Sequence, residues 1–268
     1  MQKGIAHFRP SGHARPALSA AVALAMALFA AGAHGQTHNP GYDRPGLGFT
    51  PAVLDPGDLT VEQGLPDASL DTADGVTSRQ LSADTLVRLG VGGPFELQLA
   101  SSPWNRLATW GTSRGVVQGR GSSSLGVKFA LPDQPAPLSW GLLGSVTFTD
   151  GDPALRAGRR QYLLGAQGNW QITDHQSIGA YAEDVREGSA DSTTLALSDT
   201  LALTPAWSVY VETASVHAAG HRHGLLGGGG LAWMATPRVQ LDAGVDHRLQ
   251  GDADRWLANL GVSIYFGR

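Results

Sequence analysis

Val239-Gln240-Leu241-Asp242-Ala243-Gly244-Val245-Asp246 alternates apolar and polar residues without a break. Trp256 to Phe266 does the same: Trp256, Ala258, Leu260, Val262, Ile264 and Phe266 interleave with Leu257, Asn259, Gly261, Ser263 and Tyr265. A period of two is the signature of a strand with two unlike faces. Upstream, Phe95, Leu97 and Leu99 oppose Glu96 and Gln98, and Val87 and Leu89 oppose Arg88. Val127 and Phe129 oppose Lys128, and Trp207, Val209 and Val211 oppose Ser208, Tyr210 and Glu212. The spacing predicts strands over 58–65, 79–91, 94–101, 116–131, 137–149, 159–171, 176–184, 192–202, 206–216, 224–235, 238–248 and 255–266.

The connections alternate in length. Gly92-Gly93, Pro132 to Pro137, Thr173-Asp174-His175, Thr204-Pro205 and Thr236-Pro237 are short. Pro66 to Ser78, Ser102 to Gly115, Asp150 to Ala157, Asp184 to Asp191, His217 to His223 and Gln250 to Asp254 are mostly longer and more polar. Tight periplasmic turns and longer outer loops characterise outer-membrane barrels. The expected fold is therefore all-β, a transmembrane antiparallel up-and-down β-barrel of about twelve strands. In such a barrel the apolar face meets lipid and the polar face lines the lumen. Leu241 and Val262 are expected on the lipid side, Leu241 near the bilayer midplane. Trp110, Trp140, Trp170, Trp207, Trp233, Trp256, Tyr265 and Phe266 fall mostly near strand ends, where aromatic girdles sit.

Composition agrees. Of 268 residues, 16% are charged, against ~25% in soluble domains. The net charge of −4 carries no basic stripe, which argues against nucleic acid as a partner. Lys3, Arg9 and Arg15 precede a run from Ala17 to Ala33 of mostly Ala, Val, Leu, Met and Phe, and Ala33-His34-Gly35 supplies small residues. That is the pattern of a secretory signal peptide over 1–35, cleaved before Gln36. Residues 36–57, with Pro40, Pro45, Pro51 and Pro56, have no period and are expected as an extended periplasmic lead-in. The barrel would occupy 58–268.

Chemistry is sparse. Gly121-Ser122-Ser123-Ser124-Leu125-Gly126 lacks the spacing of a nucleophile elbow. His217, His221 and His223 share one predicted outer loop with no Asp, Glu or Cys to complete a metal site, so solvated histidines are the simpler reading. Gly227 to Gly230 is no phosphate cradle and suits a bend in the wall. No catalytic, cofactor or metal residues are assigned. The candidates that remain are inward charges: Glu62, Arg88, Glu96, Lys128, Glu212, Asp242 and Asp246. About twelve strands lie between a filled eight-stranded barrel and a sixteen-stranded pore, so a narrow or loop-blocked lumen with a mixed-charge network is expected. Static pairing and a solute path are equally open at this stage.

Several strings resemble the meta-pathway phenol-degradation family, a group of predicted outer-membrane transporters. Arg44-Pro45-Gly46, Pro51-Ala52-Val53-Leu54, Pro56-Gly57, Leu59 and Val61-Glu62 are similar to its entry segment. Leu86-Val87-Arg88-Leu89-Gly90 with Phe95-Glu96-Leu97-Gln98 resembles its first hairpin, and Ser124 to Lys128 the next strand. Thr236 to Val245 resembles the penultimate strand. The resemblance implies a barrel in the outer membrane that passes a small, often aromatic, compound without a cofactor. Expected partners are outer-membrane lipid, the barrel assembly machinery and that solute. The alternatives are a non-conducting structural or surface-binding barrel and, third, a barrel lipid hydrolase.

Overall fold

The computed structural model describes residues 39–131, 137–188 and 191–267. The expected signal peptide and most of the Pro132–Pro137 turn lie outside them. Sixteen strands form one sheet among the described residues: β1 (Leu59–Gly64), β2 (Asp67–Ala73), β3 (Val76–Ser82), β4 (Thr85–Gly92), β5 (Phe95–Ser101), β6 (Asn105–Gly111), β7 (Gly115–Gly119), β8 (Ser123–Ala130), β9 (Leu138–Thr147), β10 (Gln161–Thr173), β11 (Gln176–Arg186), β12 (Ser192–Ala202), β13 (Trp207–Ala218), β14 (Gly224–Thr236), β15 (Val239–Gln250) and β16 (Trp256–Phe266). Twelve of them, β1, β4, β5 and β8 through β16, follow one another antiparallel, and β1 pairs back to β16 to close the ring. Leu59 lies opposite Phe266 and Gly64 opposite Gly261. Closure leaves the twelve-strand ring no unpaired edge among the described residues, which is what a sheet needs in hydrocarbon.

The exposure pattern is that of a soluble protein turned inside out. Leu164 and Val211 are 65% and 63% exposed on the outer face, whereas Arg88 and Lys128 are 0% exposed. Leu97, Leu99, Leu125, Leu195, Leu197 and Leu260 join the outer band. So wide an apolar surface is foreign to water-soluble monomers. At the short-turn end Trp207 stacks on Trp233, and Phe129 contacts both Phe95 and Trp140. Two expectations about position change here. Tyr265 faces inward, buried, with its hydroxyl on Asp58, and is no girdle residue. Leu241 pairs with Trp233, so it lies level with the interfacial row, not at the midplane.

The connections Pro66–Ser78 and Ser102–Gly115, expected as loops, are largely strand. β1 runs on into β2 and β3 into β4 with a one-residue shift of register, and β5 and β6, like β7 and β8, continue one another. The hairpins β2–β3 and β6–β7 thus extend the sheet past the barrel wall, and β2 still pairs with Ala258–Trp256 of β16. Segments such as Val76-Thr77-Ser78-Arg79 carry no single apolar face. The period-two signal therefore fades although the strands persist.

Ion pairs clasp the remaining loops: Arg120 with Asp150, Arg186 with Asp191, and Arg222 with Asp252. The Ser123 amide and hydroxyl hold the Asp150 carboxyl below its ordinary range. The Glu187 amide and the Arg186 side chain do this for Asp191, and the Arg222 amide and guanidinium for Asp252. A depressed folded pKa contributes order above the ordinary carboxylate value of ~3.9, and that order is lost as pH falls through the lower folded value. Carbon-detected NMR of labelled aspartates should find these three titrating below the ordinary carboxylate value of ~3.9. Separately, Val211→Arg, four residues along β13 from Trp207, is expected to lower stability by ~2–4 kcal/mol, and Leu241→Arg by about 1 kcal/mol or less. Urea titration of the folded gel band reads the ranking.

Candidate functional site

The described part of the segment 36–57 does not trail outside the barrel as an extended periplasmic lead-in: residues 39–54 run along its buried inner face, and Asp55 to Gly57 are exposed before β1 begins. Four backbone amides of residues 39–54 donate to lumen carboxylates. Asp43 N reaches Glu62 Oε1 at 3.1 Å and Arg44 N reaches Glu62 Oε2 at 2.9 Å. Leu47 N reaches Glu212 Oε2 at 3.0 Å, and Leu54 N reaches Glu96 Oε2 at 3.1 Å. In return Arg88 Nη1 donates to Gly41 O, and Gln240 Nε2 to Arg44 O. An irregular segment has no ladder partners of its own, so buried amides must find acceptors elsewhere, and the carboxylates supply them. Gly46 is at φ +97° where it passes Glu212 and Tyr210, a conformation that β-carbon-bearing residues rarely adopt.

The structure places all seven sequence candidates on the buried face, in two groups. On β1, β4, β5 and β8, Arg88 is bidentate to Glu96 at 2.8 and 3.0 Å and reaches Glu62 at 3.1 Å. Lys128 Nζ holds Asp43 at 2.6 and 2.8 Å and lies 3.4 Å from Glu96. Gln98 also donates to Asp43. Arg88 lies 3.5 Å from Asp43 as well, so this aspartate of the inner segment bridges both wall cations. The backbone explains the meeting: Arg88 pairs with Gln98, and Glu96 with Lys128, in adjacent rows of one face.

The second group lies on β13 and β15. Asp242 receives Arg44 at 3.3 Å, and the same guanidinium is bidentate to Asp67 at 2.9 and 3.0 Å. Glu212 and Asp246 take part in no ion pair among the described residues. They flank Gly228 in a single row across β13, β14 and β15. One row on, Tyr210 faces Gly230, which faces Gly244; side chains there would run into the Tyr210 hydroxyl. The Gly227–Gly230 run thus gives Tyr210 and the two carboxylates their room.

Sequence reasoning missed the inner-segment residues Tyr42, Asp43, Arg44, Leu47 and Phe49. A signal was present: a solvated tail has no use for an Asp-Arg pair and four large apolar side chains spaced among its prolines. The His217–His223 rings stack across the mouth of β13–β14 at 4.4 Å, and no metal-ligating cluster of three occurs among the described residues.

Comparison with known proteins follows from this geometry. The family model described as "Putative MetA-pathway of phenol degradation" matches residues 42–266. The chain belongs to that family. Its first matched residue is Tyr42, so the inner segment belongs to the matched region along with the barrel. The fold of this family member is similar to the crystal structure of an outer membrane channel from Pseudomonas putida F1, at 14% identity and TM-score 0.62, covering 80% of this chain and 97% of that one. It is also similar to the KdgM porin, at 11% identity and TM-score 0.51 over 78% of this chain and 99% of that one. The NanC porin gives 10% identity and TM-score 0.50 over 78% and 100%. At these identities the likeness is one of fold. Comparison with curated proteins gives no match. A closed antiparallel barrel with this apolar exterior is an outer-membrane barrel, and it shares its architecture with channels and porins.

Removing one member of the buried network strands its partners. Arg88→Met leaves Glu62, Glu96 and Asp43 short of a counter-charge and is expected to cost about 3–5 kcal/mol of stability, read by urea unfolding. Arg88→Lys should recover part of it.

Proposed function

We propose that this chain is an outer-membrane channel for a small solute, with residues 39–54 as an internal strap that narrows the lumen. In this reading residues 1–35 are the export signal, and the seven inward charges set the strap's seat and the selectivity of the path. The observation that carries the reading is the uneven filling of the lumen. On the β1–β8 side, charges and strap interlock with full side-chain burial. Between the strap and β10–β14 a polar cavity of about 300 Å³ remains. A barrel that served only as an envelope staple would gain from filling that space. Mechanism is diffusive: solute passes on the unfilled side, and displacement of the strap widens the way. The resemblance of this family to predicted transporters of small, often aromatic, compounds points in the same direction.

A non-conducting barrel is the second reading, favoured by the density of the Arg88 network. Single-channel recording in planar bilayers separates the two. Wild-type protein is expected to give small, resolvable steps. Asp43→Asn, which loosens the strap from both Arg88 and Lys128, should enlarge them at least about twofold. Silence of both proteins across salt and voltage would overturn the channel.

A further inference from the structure

The unfilled side of the lumen is not chemically neutral. Its cavity is bounded by the strap on one side and by Gln167, Tyr181, Ser198, Tyr210 and Glu212 on the other. Three buried oxygens there lack hydrogen-bond partners: the acceptors Glu212 Oε1 and Gln167 Oε1, on residues 8% and 7% exposed, and the Tyr210 hydroxyl. They come from β13 and β10 and do not touch one another in any hydrogen bond. The Gln167 amide nitrogen is already used, donating to Asn169 Oδ1 at 2.7 Å, so its free oxygen is left to accept. Glu212 Oε2 is likewise spent on Leu47 N, which leaves Oε1.

Charge bookkeeping separates the two sides of the lumen. Arg88 and Lys128 answer the carboxylates of β1, β5 and the strap, and Arg44 answers Asp67 and Asp242. Neither Glu212 nor Asp246 has an answering cation among the described residues. Asp246, 3% exposed with Oδ1 unpartnered, adds its charge from across Gly228. A buried carboxylate without a counter-charge is unfavourable unless something supplies one. The walls also contain aromatic faces: Phe49 of the strap packs edge-on against Tyr181 at 5.9 Å, and Tyr210 stands beside Glu212.

We propose that this cavity binds a small organic cation, a primary ammonium on a short aryl or alkyl body, with Glu212 as counter-ion and Gln167 as second acceptor. The ammonium has three donors and no acceptor, which matches a site offering free oxygens. Tyr181 and Tyr210 give the body apolar contact and favour a cation near their faces, while Phe49, whose ring already has Lys128 Nζ 5.3 Å from its centroid, gives apolar contact alone. The cavity is at the small end of ligand-site volumes, which limits the guest to about the size of one ring and a short arm. This deepens the channel reading, on which it rests for its role as a station along the solute path. Binding itself does not require conduction.

The test uses the full folded chain in a non-ionic detergent. Isothermal titration calorimetry with benzylammonium, benzyl alcohol and benzoate compares three guests of one shape and different charge. Benzylammonium is expected to bind, benzyl alcohol at least about tenfold more weakly, and benzoate not at all. Glu212→Gln should weaken benzylammonium at least about tenfold, since a hydrogen bond to a charged group is lost while Leu47 N keeps an acceptor. Gln167→Met should weaken it by less, and both variants must keep the heat-dependent gel shift of an intact barrel. Equal binding of alcohol and ammonium, no binding of benzylammonium to wild type, or indifference of well-folded Glu212→Gln would each overturn the proposal. Bilayer recordings on the same samples keep the two questions apart: steps without binding remove the cation site alone, and binding without steps removes the channel alone.

Discussion

The pairing of β1 with β16 is the constraint on which the rest of this structure depends. Six residues of β1, Leu59 to Gly64, lie opposite Phe266 to Gly261 and join the first strand to the last. Without that seam the sheet would present two rows of unpaired amides and carbonyls to hydrocarbon, where each unsatisfied group costs several kcal/mol. With it, the polar backbone is consumed internally and the side chains are free to sort by face. Leucine and valine turn outward because the solvent there is lipid. Arginine, lysine and glutamate turn inward because that is where polar atoms and other charges are.

Closure creates a second problem, which the strap addresses. A twelve-stranded ring encloses more space than its own side chains fill. Residues 39–54 enter that space, and their amides and Asp43 become the partners of Glu62, Arg88, Glu96 and Lys128. The relation is reciprocal: an irregular segment needs acceptors for its amides, and inward carboxylates need donors. The result is a lumen of two characters, interlocked on the β1–β8 side and open, polar and acidic toward β10–β15.

Much of this architecture was legible in the chain. The alternation from Val239 to Asp246 and from Trp256 to Phe266 marked both strand and face, because a wall with lipid on one side enforces a strict period of two. Arg88, Glu96 and Lys128 stood out as charges inside otherwise apolar stretches. Along Pro66–Ser78 and Ser102–Gly115 the signal failed: β2, the start of β3 and β6 mix apolar and polar residues without a period and read as loops, whereas the rest of β3 and nearly all of β7 fell inside the expected strands 79–91 and 116–131. The strap failed for a different reason. Its residues have no period, and the partners of Asp43 lie at positions 88 and 128, so only three-dimensional closure brings them together. Gly228 and Gly230 read as a bend, and their role in leaving room beside Glu212, Asp246 and Tyr210 needed the register of three strands.

The central claim, that residues 39–54 lie within the closed barrel, is tested most directly by hydrogen–deuterium exchange on the folded protein in detergent. Amides of Asp43, Arg44, Leu47 and Leu54 should exchange slowly, over times comparable with those of the barrel strands, because each donates to a buried carboxylate. Exchange of this segment at the rate of an unstructured peptide, with the strands still protected, would contradict the account.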